Sequence, residues 1–216
     1  MNNLQKRILT SLFIFPLTIF TIFKGGNYFL FFLITIFFVA NYELFSAFKK
    51  KLSILFIESI LILSLVSLYY LRENSETSFK LLIWIILVSV LSDIGGYVFG
   101  KTFKWKKLTS LSPNKTLSGV IGSFTFSLLS LPLAASIAFT SSEKFIYISP
   151  KFFFLTIVFS IITQSGDLII SYFKRLENIK DTGKTLPGHG GIFDRVDGVM
   201  FVIILCFVLY NLKILP

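Results

Sequence analysis

Between Ser171 and Gly198 the sequence gathers groups suited to handling phosphate. Lys174, Arg175, Lys180, Lys184 and Arg195 supply five cations, and Asp181, Asp194 and Asp197 add three carboxylates beyond Glu177. His189 stands between Gly188 and Gly190. Asp194 and Asp197 are spaced i,i+3, so on a helix they point the same way. Together with Asp167 they offer hard oxygen donors of the kind Mg²⁺ prefers, often sharing its shell with substrate phosphates. The cations can neutralise phosphate oxygens, and Gly188, Gly190 and Gly191 let backbone N–H groups approach an anion. Phosphoryl and nucleotidyl transfer ask for little more than positioning, charge neutralisation and a metal. A basic loop beside a membrane accounts for the cations but not for aspartates clustered on the same face. The residues alone therefore point to phosphate and a divalent metal at a membrane surface, without fixing the reaction.

Upstream, helical spacing places Ser160, Thr163, Gln164, Asp167, Ser171 and Lys174 on or near one face of an otherwise apolar segment. Ionisable groups inside such segments are costly and usually face a bundle interior or a polar cavity. A packing pair between Asp167 and Lys174 is the plainer alternative. Ser89, Asp93, Gly96, Tyr97 and Gly100 repeat the theme, with the glycines suited to close helix approach. Glu43 and Glu58, alone in apolar surroundings, carry weaker signals.

The elements that must position these groups are membrane spans. Of the 216 residues 54% are hydrophobic, 27 of them Phe, more apolar material than a soluble core of this size needs. Stretches at about 8–23, 28–47, 53–71, 80–100, 118–138, 152–172 and 197–212 approach the roughly 20 apolar residues a span requires. The expectation is an all-α, polytopic transmembrane helix bundle of about seven spans with a cytoplasmic N-terminus. Residues 1–216 are read as a single integral membrane domain, with apolar N-terminal helices over 1–91 and a catalytic half over 92–216. Lys6 and Arg7 ahead of the first stretch raise a cleaved signal peptide, but no small-residue cleavage site follows, so a retained helix is expected.

The net charge of +10 fits this topology. Of the 21 Lys and Arg, only Lys24, Arg72, Lys80, Lys144, Lys151 and Lys213 fall on outside segments, as the positive-inside rule expects. No nucleic-acid partner is needed to explain the charge. Cys206 is the one cysteine, which leaves no disulfide or thiolate metal site to build.

The run Ser171, Lys174, Arg175, Lys180, Asp181, Gly183, Leu186, Pro187, His189, Gly190, Gly191, Asp194, Arg195, Asp197 resembles the signature of phosphatidate cytidylyltransferases, S-x-x-K-R-x4-K-D-x-G-x2-L-P-x-H-G-G-x2-D-R-x-D, at every fixed position. Gly166-Asp167, Ser112-Pro113-Asn114-Lys115-Thr116 and Asp93 through Tyr97 are also similar to family segments, although Leu117-Ser118-Gly119 stands where members commonly have Trp-Glu-Gly. The resemblance implies condensation of CTP with phosphatidate to CDP-diacylglycerol and pyrophosphate. It implies Mg²⁺ at Asp167 and Asp194, with Asp197 a further ligand and a second cation left open. It makes Lys174 and Arg175 phosphate ligands assisted by Lys115 and Arg195, and His189 a residue that orients phosphates. Ser171, Lys180, Asp181, Gly190 and Gly191 complete the expected substrate site. It further implies a homodimer in the cytoplasmic (inner) membrane, with its active site on the cytoplasmic side. A polyprenol- or phytol-type lipid kinase and an ion-coupled transporter are the rival classes.

Overall fold

A computed structural model describes residues 3–109, 112, 115–137, 149–183, 185–188 and 190–216, without the side chains of residues 3, 4 and 6–8. The described residues form eight helices: α1 (Asn3–Lys24), α2 (Gly26–Ala47), α3 (Lys51–Glu73), α4 (Glu76–Phe103), α5 (Leu117–Ser127), α6 (Ser130–Ile137), α7 (Pro150–Leu176) and α8 (Phe193–Asn211). Among the described residues, six of the seven expected apolar stretches are helical to within a residue at their ends. The stretch expected at 118–138 is broken at Leu128 and Leu129, between α5 and α6. Five segments are long and apolar enough to cross a membrane: α2, α3, α4, Leu117–Ser136 and α7. The apolar part of α1, Leu9–Lys24, is shorter, and α8 opens with Asp194, Arg195 and Asp197 before its apolar run. The protein is an all-α, polytopic integral membrane bundle.

Local chemistry sets the helix boundaries. Gly25 and Gly26 both take positive φ between α1 and α2, a conformation that costs glycine little. Ser75 caps α4, its hydroxyl accepting from the Ser78 amide while Ser78 bonds back. Thr116 caps α5 by accepting from Gly119 N at 3.1 Å. Pro150 opens α7 at a position where its missing N–H is not needed.

Large apolar side chains cover the outside; Leu52, Phe31 and Phe154 are 78%, 72% and 67% exposed. In a bilayer those faces meet lipid tails. Burial between helices then yields little hydrophobic gain, and packing and interhelical hydrogen bonds must hold the bundle. Trp84 of α4 packs on Phe152 and Phe159 of α7, with ring centroids 4.7 and 5.3 Å away, beside Val202 and Cys206 of α8. A second cluster joins Leu44 of α2, Ile57 and Leu61 of α3, Ile170 of α7, and Phe193 and Met200 of α8. Buried hydroxyls tie α4 to its neighbours. Ser92 meets Ser160 at 2.8 Å, Ser89 meets Thr163 at 3.3 Å, and Ser123 of α5 donates to the Ser92 carbonyl at 2.8 Å.

The α4–α5 contact is close enough to exclude side chains. A Cβ on Gly122 would strike the Gly95 carbonyl and Phe99, and one on Gly96 would lie 2.7 Å from the Ser123 hydroxyl. This approach holds the segment before α5 against the α4 face that carries Asp93. At another corner, Glu177 at the end of α7 accepts from the Lys50 and Lys49 amides at 3.0 and 3.3 Å, pinning the α2–α3 turn. Partial desolvation pushes the Glu177 carboxyl up. The two backbone donors, with Ser53 and the Lys50 charge, more than offset this and hold it below the ordinary glutamate range.

Candidate active site

Two polar clusters lie along α7. The first surrounds Asp167, two helical turns before Lys174. Backbone pairing between Leu108 N and Lys115 O (2.8 Å) and between Leu117 N and Lys106 O (3.0 Å) folds the segment before α5 back on itself. It presents Lys115, whose Nζ reaches Asp167 Oδ2 at 2.5 Å and the Gln164 carbonyl at 3.0 Å. Asp167 therefore pairs with Lys115 and not with Lys174. A polar cavity of about 270 Å³ opens here, lined by Asp93, Tyr97, Ser112, Lys115, Gln164 and Asp167 among others.

The second cluster joins the end of α7 to the start of α8. Lys174, 7% exposed, places Nζ 3.0 Å from Asp194 Oδ1 and 3.5 Å from Asp197 Oδ2. Asp194 Oδ2 accepts from Thr182 N at 2.9 Å and Gly191 N at 3.2 Å, so one carboxylate ties both arms of the signature loop to α8. Within that loop Leu186 and Gly190 pair their backbones at 2.9 and 3.2 Å. Gly188 and Gly190 take φ of 82° and 93°, which this tight turn requires of them. Thr10 of α1 donates to the Pro187 carbonyl at 2.9 Å, so the first helix reaches the turn as well.

The expected site residues fall into three groups. Asp167 and Lys115 come together, as do Lys174, Asp194 and Asp197. Arg175 in the last turn of α7 and Lys180 and Asp181 on the connection into the loop are exposed, and Arg175 donates to the Ile179 carbonyl at 2.8 Å. Ser171 is half-buried on α7, and Gly190 and Gly191 form the returning arm of the turn. His189, like Lys184, Pro113 and Asn114, lies outside the described residues. Arg195 sits in the first turn of α8 and contributes, with Leu186 and Ile192, to the lining of an apolar cavity of about 1010 Å³ between α1, α2, α3 and α8.

In sequence Glu43 carries only a weak signal, and the structure gives it a larger part. It is fully buried at the end of α2 and accepts from Ile192 N and Phe193 N, each at 3.0 Å. The Thr185 hydroxyl also donates to it, and Thr182 Oγ1 does so at 3.5 Å. A lone carboxylate near the end of an apolar run was the one available signal, and its partners lie some 140 residues away in sequence.

Aspartate oxygens facing a polar cavity are donors of the chemistry Mg²⁺ prefers, and Asp93 and Asp167 both face this one. As placed, no three His, Cys, Asp or Glu side chains among the described residues converge closely enough to hold an ion. Lys115 and Lys174 lie on the carboxylates instead.

Fold and site thus define a polytopic membrane protein with carboxylates and cations arrayed where two helices meet a glycine-rich loop. The chain belongs to the cytidylyltransferase family, whose sequence profile matches residues 47–213. It is similar to the phosphatidate cytidylyltransferase of Staphylococcus saprophyticus, 38% identical over 139 residues, which is 64% of this chain and 52% of that relative. Relatives of the same name from Staphylococcus epidermidis and Staphylococcus aureus are each 37% identical over 139 residues, with the same coverage. The chain spans about half the length of the curated relatives it matches.

Proposed function

We propose that this chain condenses CTP with phosphatidate to give CDP-diacylglycerol and pyrophosphate. The observation that carries this reading is the Lys115–Asp167 pair opening on a polar cavity beside the Lys174–Asp194–Asp197 cluster, in a chain whose family transfers cytidylyl groups. A phosphate oxygen of phosphatidate attacks the α-phosphorus of CTP. The new P–O bond forms as the bond to the bridging oxygen breaks, and pyrophosphate leaves with that electron pair. No proton must be abstracted, because the attacking phosphate is already anionic.

Lys115 and Arg195 assist in neutralising phosphate oxygens, and Lys174 and Arg175 serve the same charge from the end of α7. His189 orients the phosphates. Mg²⁺ would be held by Asp167, with Asp194 and Asp197 as the further carboxylates of the set. A metal there would offset charge on the α-phosphorus and on the leaving group. Asp93 faces the same cavity and joins the candidates. The apolar cavity lined by Leu17, Phe29, Leu65 and Val199 supports a lipid substrate, since it also takes in Arg195. Its volume lies near the upper end of the roughly 300–1,000 Å³ common for ligand sites. The basic segments 101–117 and 173–196 support a reaction at the cytoplasmic face, since cytoplasmic loops carry an excess of Lys and Arg.

The test is CDP-diacylglycerol formation by purified protein with CTP, phosphatidate and Mg²⁺, beside Asp167→Asn. Product from wild type and a loss of at least about 100-fold in the variant are expected. Equal turnover by both would remove Asp167 from the metal site. No product from well-folded wild type in lipid would overturn the reaction and favour a lipid kinase or a transporter.

A further inference from the structure

We propose that Glu43 is a positioning residue for this reaction, clamping the signature loop and the first turn of α8 from outside the signature itself. The inference rests on the functional reading above only for the reaction that the clamped groups serve. Glu43 has no exposed surface, and a carboxylate at that depth is costly unless its oxygens are met by donors. Four neutral donors meet it. Ile192 N and Phe193 N, among the amides at the start of α8 that lack helical partners, each donate at 3.0 Å. A negative charge there also interacts favourably with the helix dipole. The Thr185 hydroxyl donates to Oε1, and Thr182 Oγ1 lies 3.5 Å from Oε2.

The donors come from both arms of the loop. Thr182 and Thr185 precede the Leu186–Gly190 turn, and Ile192 and Phe193 follow it. Two signature glycines record the closeness of the fit. A Cβ on Gly183 would lie 2.8 Å from the Glu43 carboxyl carbon, and one on Gly191 would lie 2.5 Å from Oε2. The backbone that Glu43 grips is also the backbone that grips Asp194, through Thr182 N and Gly191 N. Displacing the Glu43 carboxylate therefore moves Asp194 and the glycine turn together, although Glu43 itself has no exposed surface from which to reach substrate.

The test uses full-length Glu43→Gln in lipid nanodiscs, with limited trypsin digestion at Arg175, Lys180 and Lys184 beside steady-state kinetics. Glutamine keeps the size but presents an NH₂ where an acceptor stood. Loop cleavage is expected to rise about tenfold, as for loss of a charge-assisted hydrogen bond from a local opening equilibrium. The kcat of folded enzyme is expected to fall roughly 10- to 100-fold, as for an ångström-scale misplacement, with KM for CTP little changed. Glu43→Asp should recover part of both. A residue that only stabilised the fold would lower the unfolding temperature while leaving kcat per folded molecule and loop cleavage as in wild type, and that result overturns the proposal. Should Glu43→Gln fail to fold, Thr185→Val removes at an exposed position one hydroxyl, which donates to Glu43 and accepts from Ile192 N at 3.3 Å. It is expected to raise cleavage about threefold, and wild-type cleavage and kcat in this variant overturn the clamp. The proteolysis reads the loop whatever reaction it serves. Loop opening in the variant beside a wild type that makes no CDP-diacylglycerol would reject the reaction and keep the clamp.

Discussion

Lys174→Met tests whether one ammonium holds the second cluster together. Its Nζ lies 3.0 Å from Asp194 and 3.5 Å from Asp197, with only 9% of the side chain exposed. At an effective dielectric constant of ~20 each pair attracts by about 5 kcal/mol, before desolvation and the mutual repulsion of the aspartates are subtracted. Methionine fills similar volume but leaves two carboxylates facing each other. Removing one partner of a buried ion pair typically costs about 3–5 kcal/mol. In a chain of this size that corresponds to a fall in unfolding temperature on the order of 10 °C.

The chain carries its own probe for this measurement. Cys206 is its one cysteine and is fully buried in the core, so a thiol-reactive fluorogenic dye reports the temperature at which the bundle opens. The double variant Lys174→Met/Asp197→Asn removes one negative charge along with the positive one, and it should recover about 1–3 kcal/mol of the loss. The same experiment separates the two tasks that Lys174 could perform. A lysine held only for substrate phosphate would leave the ligand-free unfolding temperature unchanged and raise KM for CTP alone. A wild-type unfolding temperature in Lys174→Met, or a double variant no more stable than the single one, would refute the charge-balance reasoning.

Gly122→Ala should destabilise the bundle by about 1–3 kcal/mol, because its methyl would meet the Gly95 carbonyl and Phe99. Ile121→Ala, on the 47% exposed neighbour, should stay within about 0.5 kcal/mol, and the Cys206 dye reads both. Glu177 carries a pH prediction. Its folded carboxyl titrates below the ordinary 4.5, so its ionised form adds stability above that value and the contribution is lost as pH falls from there through the folded value. Hydrogen exchange at the Lys49 and Lys50 amides, corrected for intrinsic rates, should therefore speed up over that descent. In Glu177→Gln it should be fast and independent of pH, whereas wild-type exchange that is equally flat would remove Glu177 as the anchor of the α2–α3 turn.

Much of the fold was legible because a bilayer leaves few options. Apolar stretches of span length have to be helical to satisfy their backbone. The described residues of the expected stretches are helical to within a residue at their ends, apart from the break at Leu128 and Leu129, and five of the segments are long and apolar enough to cross a membrane. The polar face of α7 was equally legible: Ser160 and Thr163 do meet Ser92 and Ser89 across the helix contact. Periodicity names a face, however, and not the partner on it. Asp167 could be set beside Lys174 by spacing alone, yet Lys115 reaches it from a folded-back segment about fifty residues earlier. The break between α5 and α6 had no glycine to announce it, since Leu128 and Leu129 are as apolar as their neighbours.

Glu43 shows where a motif ceases to inform. Residues that act on substrate need particular side chains at particular spacings, so they leave a local pattern such as the run from Ser171 to Asp197. A residue that holds those groups in place needs only to arrive at the right point in space, and any element of the bundle can deliver it. The apolar half over 1–91 looks chemically silent because its main contact with the loop is one carboxylate aimed largely at backbone amides, which carry no sequence identity. What the local sequence does retain is the complement of that contact. Gly183 and Gly191 lie where a methyl group would collide with Glu43, so these signature positions are shaped by a residue on a distant helix. Under the proposed function, a division into an apolar half and a catalytic half would describe where the reacting groups sit and not which residues place them, since Glu43 of α2 grips the backbone of the signature loop.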